Sequence, residues 1–89
     1  MTTDKELEKI LKALANRRRL AIIRFLKKGK PATVTTIAEE IRLSFRSTSK
    51  HLAVLAAAGI VEKDQHGLNM YYGIATPLPP IARRVVEIL

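Results

Sequence analysis

The sequence predicts a mainly α domain whose elements run α-α-α-α-β-β-α, and three observations carry that expectation. Four successive stretches space their apolar residues three and four apart, the mark of helices with one buried face. After Gly59 the period changes: β-prone Ile60-Val61 and Met70-Tyr71-Tyr72-Gly73-Ile74 flank a polar stretch containing Gly67, as in a β-hairpin. Pro77, Pro79 and Pro80 then break the chain ahead of a last apolar stripe. At 89 residues the chain reads as one domain, 1–89, without linker, repeat or low-complexity tract. A domain this small buries only about 60% of the surface its unfolded chain exposes, so a leftover apolar face invites a second copy.

Leu7, Ile10, Leu11 and Leu14 line one face of the first helix, and Thr3 with Glu6 makes a capping box at its start. Asn16 stops that helix and caps the second, where Leu20, Ile22, Ile23, Phe25 and Leu26 are apolar. Gly29, Lys30 and Pro31 end it. Ala32-Thr33-Val34 reads as a short extended piece. Thr36 and Glu39 then form a second capping box for a short third helix with Ile37 and Ile41 on one face. Arg42-Leu43-Ser44 is the next turn. Ser44 caps a fourth helix over about residues 45–58, which Gly59 ends as a left-handed residue. Gln65 to Asn69 is the hairpin loop. Pro79-Pro80 opens the last helix, with Ile81, Val85, Ile88 and Leu89 in a stripe and Val86 beside it.

Composition narrows the function classes. Sixteen Lys and Arg against eight Asp and Glu give a net charge of +8, which suits a polyanionic partner. The charge is concentrated: residues 16–30 hold seven cations and no acid, and residues 42–58 add Arg42, Arg46 and Lys50 with no acid. The absence of cysteine excludes disulfides, thiolate zinc sites and thiol nucleophiles. Neither His51 nor His66 has a second ligand at metal spacing, so no metal is expected. There is no nucleophile–base pair, paired carboxylates or phosphate-binding glycine loop, hence no catalytic residues, no cofactor and no enzyme. No apolar run approaches the roughly 20 residues of a membrane span, and Met1 to Lys5 lacks the apolar core of a signal peptide. A cytoplasmic, nucleoid-associated protein is the expectation.

A short helix, a tight turn and a longer helix opening with small polar and basic residues is a helix-turn-helix pattern. In the fourth helix, Phe45, Thr48, Leu52, Leu55 and Gly59 make the expected core stripe. The other side carries Arg46, Ser47, Ser49 and Lys50 within the first two turns, the part of such a helix that reaches the major groove of double-stranded DNA. Arg46 can donate two parallel hydrogen bonds to guanine O6 and N7. Ser47 and Ser49 suit phosphates or base edges at short range, and Lys50 is a mobile charge. Thr36, Arg42, Lys63, His66 and Asn69 complete the candidate DNA-facing set together with His51. His51 stands beside the core stripe and has two readings, a partly buried histidine or a base contact. His66 is either a turn residue or a contact.

Three segments give this pattern a family resemblance. Leu14-Ala15-Asn16-Arg17-Arg18-Arg19-Leu20-Ala21-Ile22-Ile23 resembles the L-A-D/N-x-x-R-L-x-I-L segment of ArsR/SmtB-type transcriptional repressors. Ser49-Lys50-His51-Leu52 through Ala58-Gly59-Ile60-Val61 resembles their S-x-H-L-x-x-L-x-x-A-G-L/I-V segment, and Gly67 through Tyr72 is similar to their G-x-x-x-x-Y wing. The resemblance spans roughly residues 5 to 75. It implies a dimeric winged helix-turn-helix repressor, with residues 1–15 and 77–89 as the dimerisation helices and Arg19 in a structural role. It also exposes departures. Many members hold metal through a Cys-x-Cys pair where this chain has Thr33 and Thr35, or through Asp and His on the last helix, where it has Arg83, Arg84 and Glu87. Leu68 and Asn69 stand where family wings usually carry Arg, and Thr48 where an apolar β-branched residue is common. The expected activity is thus sequence-specific repression by a homodimer on an inverted repeat. A winged-helix protein–protein adaptor and a non-specific architectural DNA-binding protein are the alternatives.

Overall fold

A computed structural model describes residues 2–89. These fold in the predicted order: α1 (Asp4–Leu14), α2 (Arg17–Leu26), α3 (Val34–Ile41), α4 (Phe45–Ala57), β1 (Val61–His66), β2 (Asn69–Ile74) and α5 (Pro80–Ile88). The caps explain most of the boundaries. The Thr3 hydroxyl accepts the Glu6 N–H at 3.1 Å and donates to the Glu6 carboxylate at 3.0 Å. The expected box therefore forms, with its return bond on the hydroxyl rather than on the Thr3 N–H. Asn16 Oδ1 accepts from the N–H groups of Arg18 and Arg19 at 2.9 and 3.1 Å.

α3 departs from the sequence reading. The Thr33 hydroxyl takes the Thr36 N–H at 3.3 Å. The helix therefore opens at Val34, and the Thr36/Glu39 box is unused. The cause is tertiary. Ala32 exchanges two backbone hydrogen bonds with Tyr72, at 2.9 and 2.8 Å. This pairing holds residue 32 extended and leaves Thr33 as the first residue free to turn into a helix.

α3 and α4 end in the same way. In α4 the Ile60 N–H reaches the Leu55 carbonyl and the Gly59 N–H reaches the Ala56 carbonyl, both at 3.0 Å, with Gly59 at φ +75°. That is a Schellman motif. In α3 the Leu43 N–H reaches Ala38 at 3.0 Å and the Arg42 N–H reaches Glu39 at 3.3 Å, with Arg42 in the left-handed position at φ 57°. A side chain there costs roughly 1–2 kcal/mol relative to glycine's freedom.

The core lies where α2, α3 and α4 meet, around the fully buried Ile22, Ile23, Ile37, Leu52, Leu55 and Ile60. α1 adds Ile10, Ala13 and Leu14, and α5 adds Ala82 and Val86. Phe45 is a correction to the expected α4 stripe: it is 59% exposed. It is the first residue of the helix, and Cα–Cβ bonds tilt toward a helix N-terminus, so its ring projects past the helix end instead of into the core. Gly59 likewise lies outside the stripe, exposed beyond the helix end.

The hairpin loop is shorter than the expected Gln65 to Asn69. Strand pairing continues through His66↔Asn69, leaving a two-residue turn of Gly67 and Leu68. Gly67 at φ +63° suits a type II′ turn, whose first central residue is normally glycine. The polar run Glu62 to His66 is a strand because β2 supplies its backbone partners, not because of its own propensity.

Thr48 is fully buried in α4, and its hydroxyl has no hydrogen-bond partner. An orphaned buried hydroxyl costs about 1–3 kcal/mol. Thr48→Val keeps the shape and removes the orphan, so it is expected to raise stability by about 1 kcal/mol. In a thermal melt that is a gain of roughly 4–8 °C; an unchanged or lower Tm would show that the hydroxyl is satisfied.

Candidate nucleic-acid interface

α3 packs against α4 across the turn Arg42 to Ser44. Ser44 Oγ caps α4 by accepting the Ser47 N–H at 3.1 Å. The N–H groups of Phe45 and Arg46 precede the first helical hydrogen bonds, so this end presents free donors and the positive end of the helix dipole. Arg46 and Lys50 are exposed, while Ser47 and Ser49 are half-buried. Arg46, Ser49 and Lys50 share one face by their three- and four-residue spacing. Arg42, in the turn, and Thr36, on α3, are also exposed. Among the described residues the ion pairs made by Lys and Arg are Glu8–Lys12 and Glu87–Arg84, so Arg42, Arg46, Lys50 and Lys63 carry unpaired charge.

His51 is tied into the frame of the site. Arg19 Nη1 lies 3.2 Å from His51 Nδ1, Nε donates to the Ala13 carbonyl at 2.6 Å and Nη2 donates to the Lys12 carbonyl at 2.9 Å. One guanidinium thus joins the end of α1, the start of α2 and the middle of α4. A guanidinium has no acceptor, so Nδ1 must accept and the ring proton sits on Nε2. The half-buried His51 is thereby held by Arg19, which matches the first of its two readings. Partial desolvation, then the charges of Arg19 and Arg18, hold its pKa below the ordinary 6.5. As pH falls below about 6.5 the unfolded chain takes up a proton that the folded chain resists. Stability contributed by neutral His51 is present above that pH and is lost below it. The stability measured by urea denaturation is expected to fall as the pH drops below about 6.5. His51→Asn, whose amide oxygen can accept from Arg19, is expected to flatten that part of the profile; an equal slope in both proteins would remove His51 as the cause.

The hairpin sorts its residues by face. Asp64, His66, Asn69 and Tyr71 share one side, since Asp64 pairs with Tyr71 and His66 with Asn69. His66 Nε2 lies 2.9 Å from Asp64 Oδ2, and its ring meets Tyr71 edge-on at 5.6 Å. Lys63 projects from the opposite side. All three candidate wing residues, Lys63, His66 and Asn69, are exposed, but His66 is engaged by a carboxylate. The Ala32–Tyr72 bridge and the packing of α3 on β2 fasten the hairpin to the helix-turn-helix.

This arrangement has relatives. Residues 14–64 match the model of a helix-turn-helix domain family. Over 70 residues, 79% of the chain, it is 37% identical to the HTH-type transcriptional regulator Rv0324 of Mycobacterium tuberculosis. Over 68 residues, 76% of the chain, it is 32% identical to the transcriptional repressor PagR of Bacillus anthracis. The chain spans 30% of the length of the first and 68% of the second. The homodimeric winged helix-turn-helix DNA-binding domain Mb0332 of Mycobacterium bovis, a possible ArsR-family regulator, superposes with a TM-score of 0.82 at 30% identity, over 98% of this chain and 83% of that one. The chain belongs to the ArsR-type winged helix-turn-helix family.

Within this ArsR-type chain Thr33 and Thr35, at the positions of the family's Cys-x-Cys pair, do not suit a metal. The Thr33 hydroxyl is committed to capping α3, donates onward to Thr36 Oγ1 at 3.2 Å, and is a poor ligand in any case. Thr35 is an exposed hydroxyl. Among the described residues no helix is long and apolar enough to cross a membrane. The spacing of Phe45 from Thr48 and Leu52 mimics a core stripe and so hides a surface residue. The usable signal was its place directly after the N-cap Ser44, where no preceding turn of helix lies beside the ring.

Proposed function

We propose that this ArsR-type chain is a sequence-specific double-stranded DNA-binding repressor that acts as a homodimer on an inverted-repeat operator. The observation that carries this reading is the exposed, unpaired Arg46 and Lys50 face on the capped, donor-rich start of α4. Arg46 and the half-buried Ser47 and Ser49 read base edges. Arg42, Thr36, Lys50, Lys63 and Asn69 position the phosphates, His66 adds little while Asp64 holds it, and His51 acts by supporting α4.

The dimer reading rests on two apolar faces per helix. α5 buries Ala82 and Val86 but leaves Ile81 at 40% and Ile88 at 81% exposed, and α1, against which it packs, leaves Leu11 at 46%. α1 and α5 are therefore the dimerisation helices of this reading, in line with the homodimeric Mb0332 domain. Two copies would set two α4 helices roughly 34 Å apart, in successive major grooves.

The test is binding of the chain to duplexes selected from a random pool, with its mass followed by sedimentation. Affinity should fall with salt by a slope of roughly −0.9 per phosphate contact, about −5 if Arg42, Lys50 and Lys63 of both copies each meet one. The selected site should be an inverted repeat and the free protein a dimer at micromolar concentration. Equal affinity for all duplexes would favour an architectural protein, and salt-indifferent or absent DNA binding an adaptor.

A further inference from the structure

We infer that Phe45 is a specificity residue that packs on the C5-methyl group of a thymine in each half-site, an inference that rests on the proposed reading of α4 as the DNA-reading helix. A phenylalanine 59% exposed forgoes most of the benefit of burying its ring, so a partner that covers it recovers that benefit. Among the other exposed large apolar residues, Leu68 stands in the hairpin turn and Val54 late in α4, while Leu11, Ile81 and Ile88 lie on α1 and α5, where the proposed dimer covers them. Phe45 is on neither helix. It is the first residue of α4, next to Arg46, and one helical turn before Ser49. Its ring therefore belongs to the same patch as Arg46, Ser49 and Lys50.

Any partner that receives that patch receives the ring. A phosphate would leave the ring wet or force it against charge. The floor of a major groove offers one apolar group, the thymine methyl, which an aromatic or small apolar side chain can cover. The neighbours suit that geometry. Arg46 asks for guanine O6 and N7, so the pairing of residues 45 and 46 points to a half-site in which a thymine adjoins a guanine–cytosine pair. The ring sits at the helix end that enters the groove first, and it has no hydrogen-bonding atoms to satisfy there. It can therefore exclude water beside the Arg46 contacts.

The experiment uses a duplex selected from a random pool by the whole chain, with each thymine of the half-site replaced in turn by deoxyuridine, which lacks only the methyl. One thymine should matter. Its replacement in one half-site should weaken binding of the unaltered protein about fourfold, the effect of one buried methyl. Phe45→Ala should bind the thymine duplex more weakly and be indifferent to the replacement. Arg46→Ala should remain sensitive to it. Because Phe45 is exposed, Phe45→Ala should melt as the unaltered protein does, and Phe45→Leu should recover part of the sensitivity. Selected half-sites without thymine, or equal sensitivity to deoxyuridine in the protein and in Phe45→Ala, would overturn the assignment of Phe45 while leaving DNA binding by α4 intact. Failure of the unaltered chain to select any duplex would instead overturn the reading on which it rests.

Discussion

Arg46→Ala is expected to weaken binding to the selected operator by about 10- to 100-fold per half-site and to relax the preference at one base pair in each. The size follows from the contact. A bidentate Arg–guanine pair contributes about 1–3 kcal/mol of discrimination, and a homodimer makes it twice. Arg46 is exposed, free of any acid and on the first turn of α4, so nothing in the fold is lost with it. Arg46→Lys separates charge from shape: a lysine restores part of the affinity but not the forked donor pair, so specificity stays low. Lys50→Ala should behave differently. A phosphate contact carries no sequence information, so its loss weakens all duplexes alike and lowers the salt slope by about 1 per copy. Quantitative binding to the operator and to variants at each base pair distinguishes the two patterns. Affinity unchanged in both variants would end the assignment of α4 as the reading helix.

Arg19→Ala is expected to cost about 2–4 kcal/mol of stability, a large share of what a small domain has. Hydrogen bonds from a charged donor contribute about 1.5–3 kcal/mol each when well shielded. Arg19 donates to Ala13 and Lys12 carbonyls and to His51, but it is only half-buried, so the sum is discounted. Removing it takes the guanidinium from the Lys12 and Ala13 carbonyls and from the His51 ring nitrogen at one stroke. The thermal midpoint should fall by about 8 °C or more, at roughly 4–8 °C per kcal/mol. Arg19→Lys should not recover it, because one ammonium cannot span three acceptors in three directions. Arg17→Ala and Arg18→Ala are the internal controls: both side chains are exposed and should change stability by no more than about 0.5 kcal/mol. An Arg19→Ala melt indistinguishable from theirs would show that the three bonds are not holding α1 to α4.

These two arginines, so close in chemistry, mark the boundary of what local sequence can say. Arg46 was legible as a surface cation because it follows an N-cap and lies off the 3-4 apolar spacing. Arg19 stands in a run of three arginines that composition cannot tell apart. Its role depends on a carbonyl six residues back and a histidine 32 residues on. Phe45 and Thr33 fail for related reasons. Periodicity assigns Phe45 to the core because spacing alone does not register that the residue directly follows the N-cap Ser44. Thr33 and Thr36 are equally good caps, and a β-bridge from Ala32 to a distant tyrosine chooses between them.

The sequence by itself determined the order of elements, the turn glycines, the concentration of positive charge and the residue types at the start of the fourth helix. Those properties depend on neighbours within four or five residues, where spacing, capping and backbone freedom act. The tertiary structure alone decided the first turn of α3, the pinning of the hairpin to residue 32 and the clamp from Arg19 to His51. Each of these is a contact between segments far apart in the chain. Local propensities are worth tenths of a kcal/mol per residue, and a single shielded hydrogen bond or buried ring outweighs them.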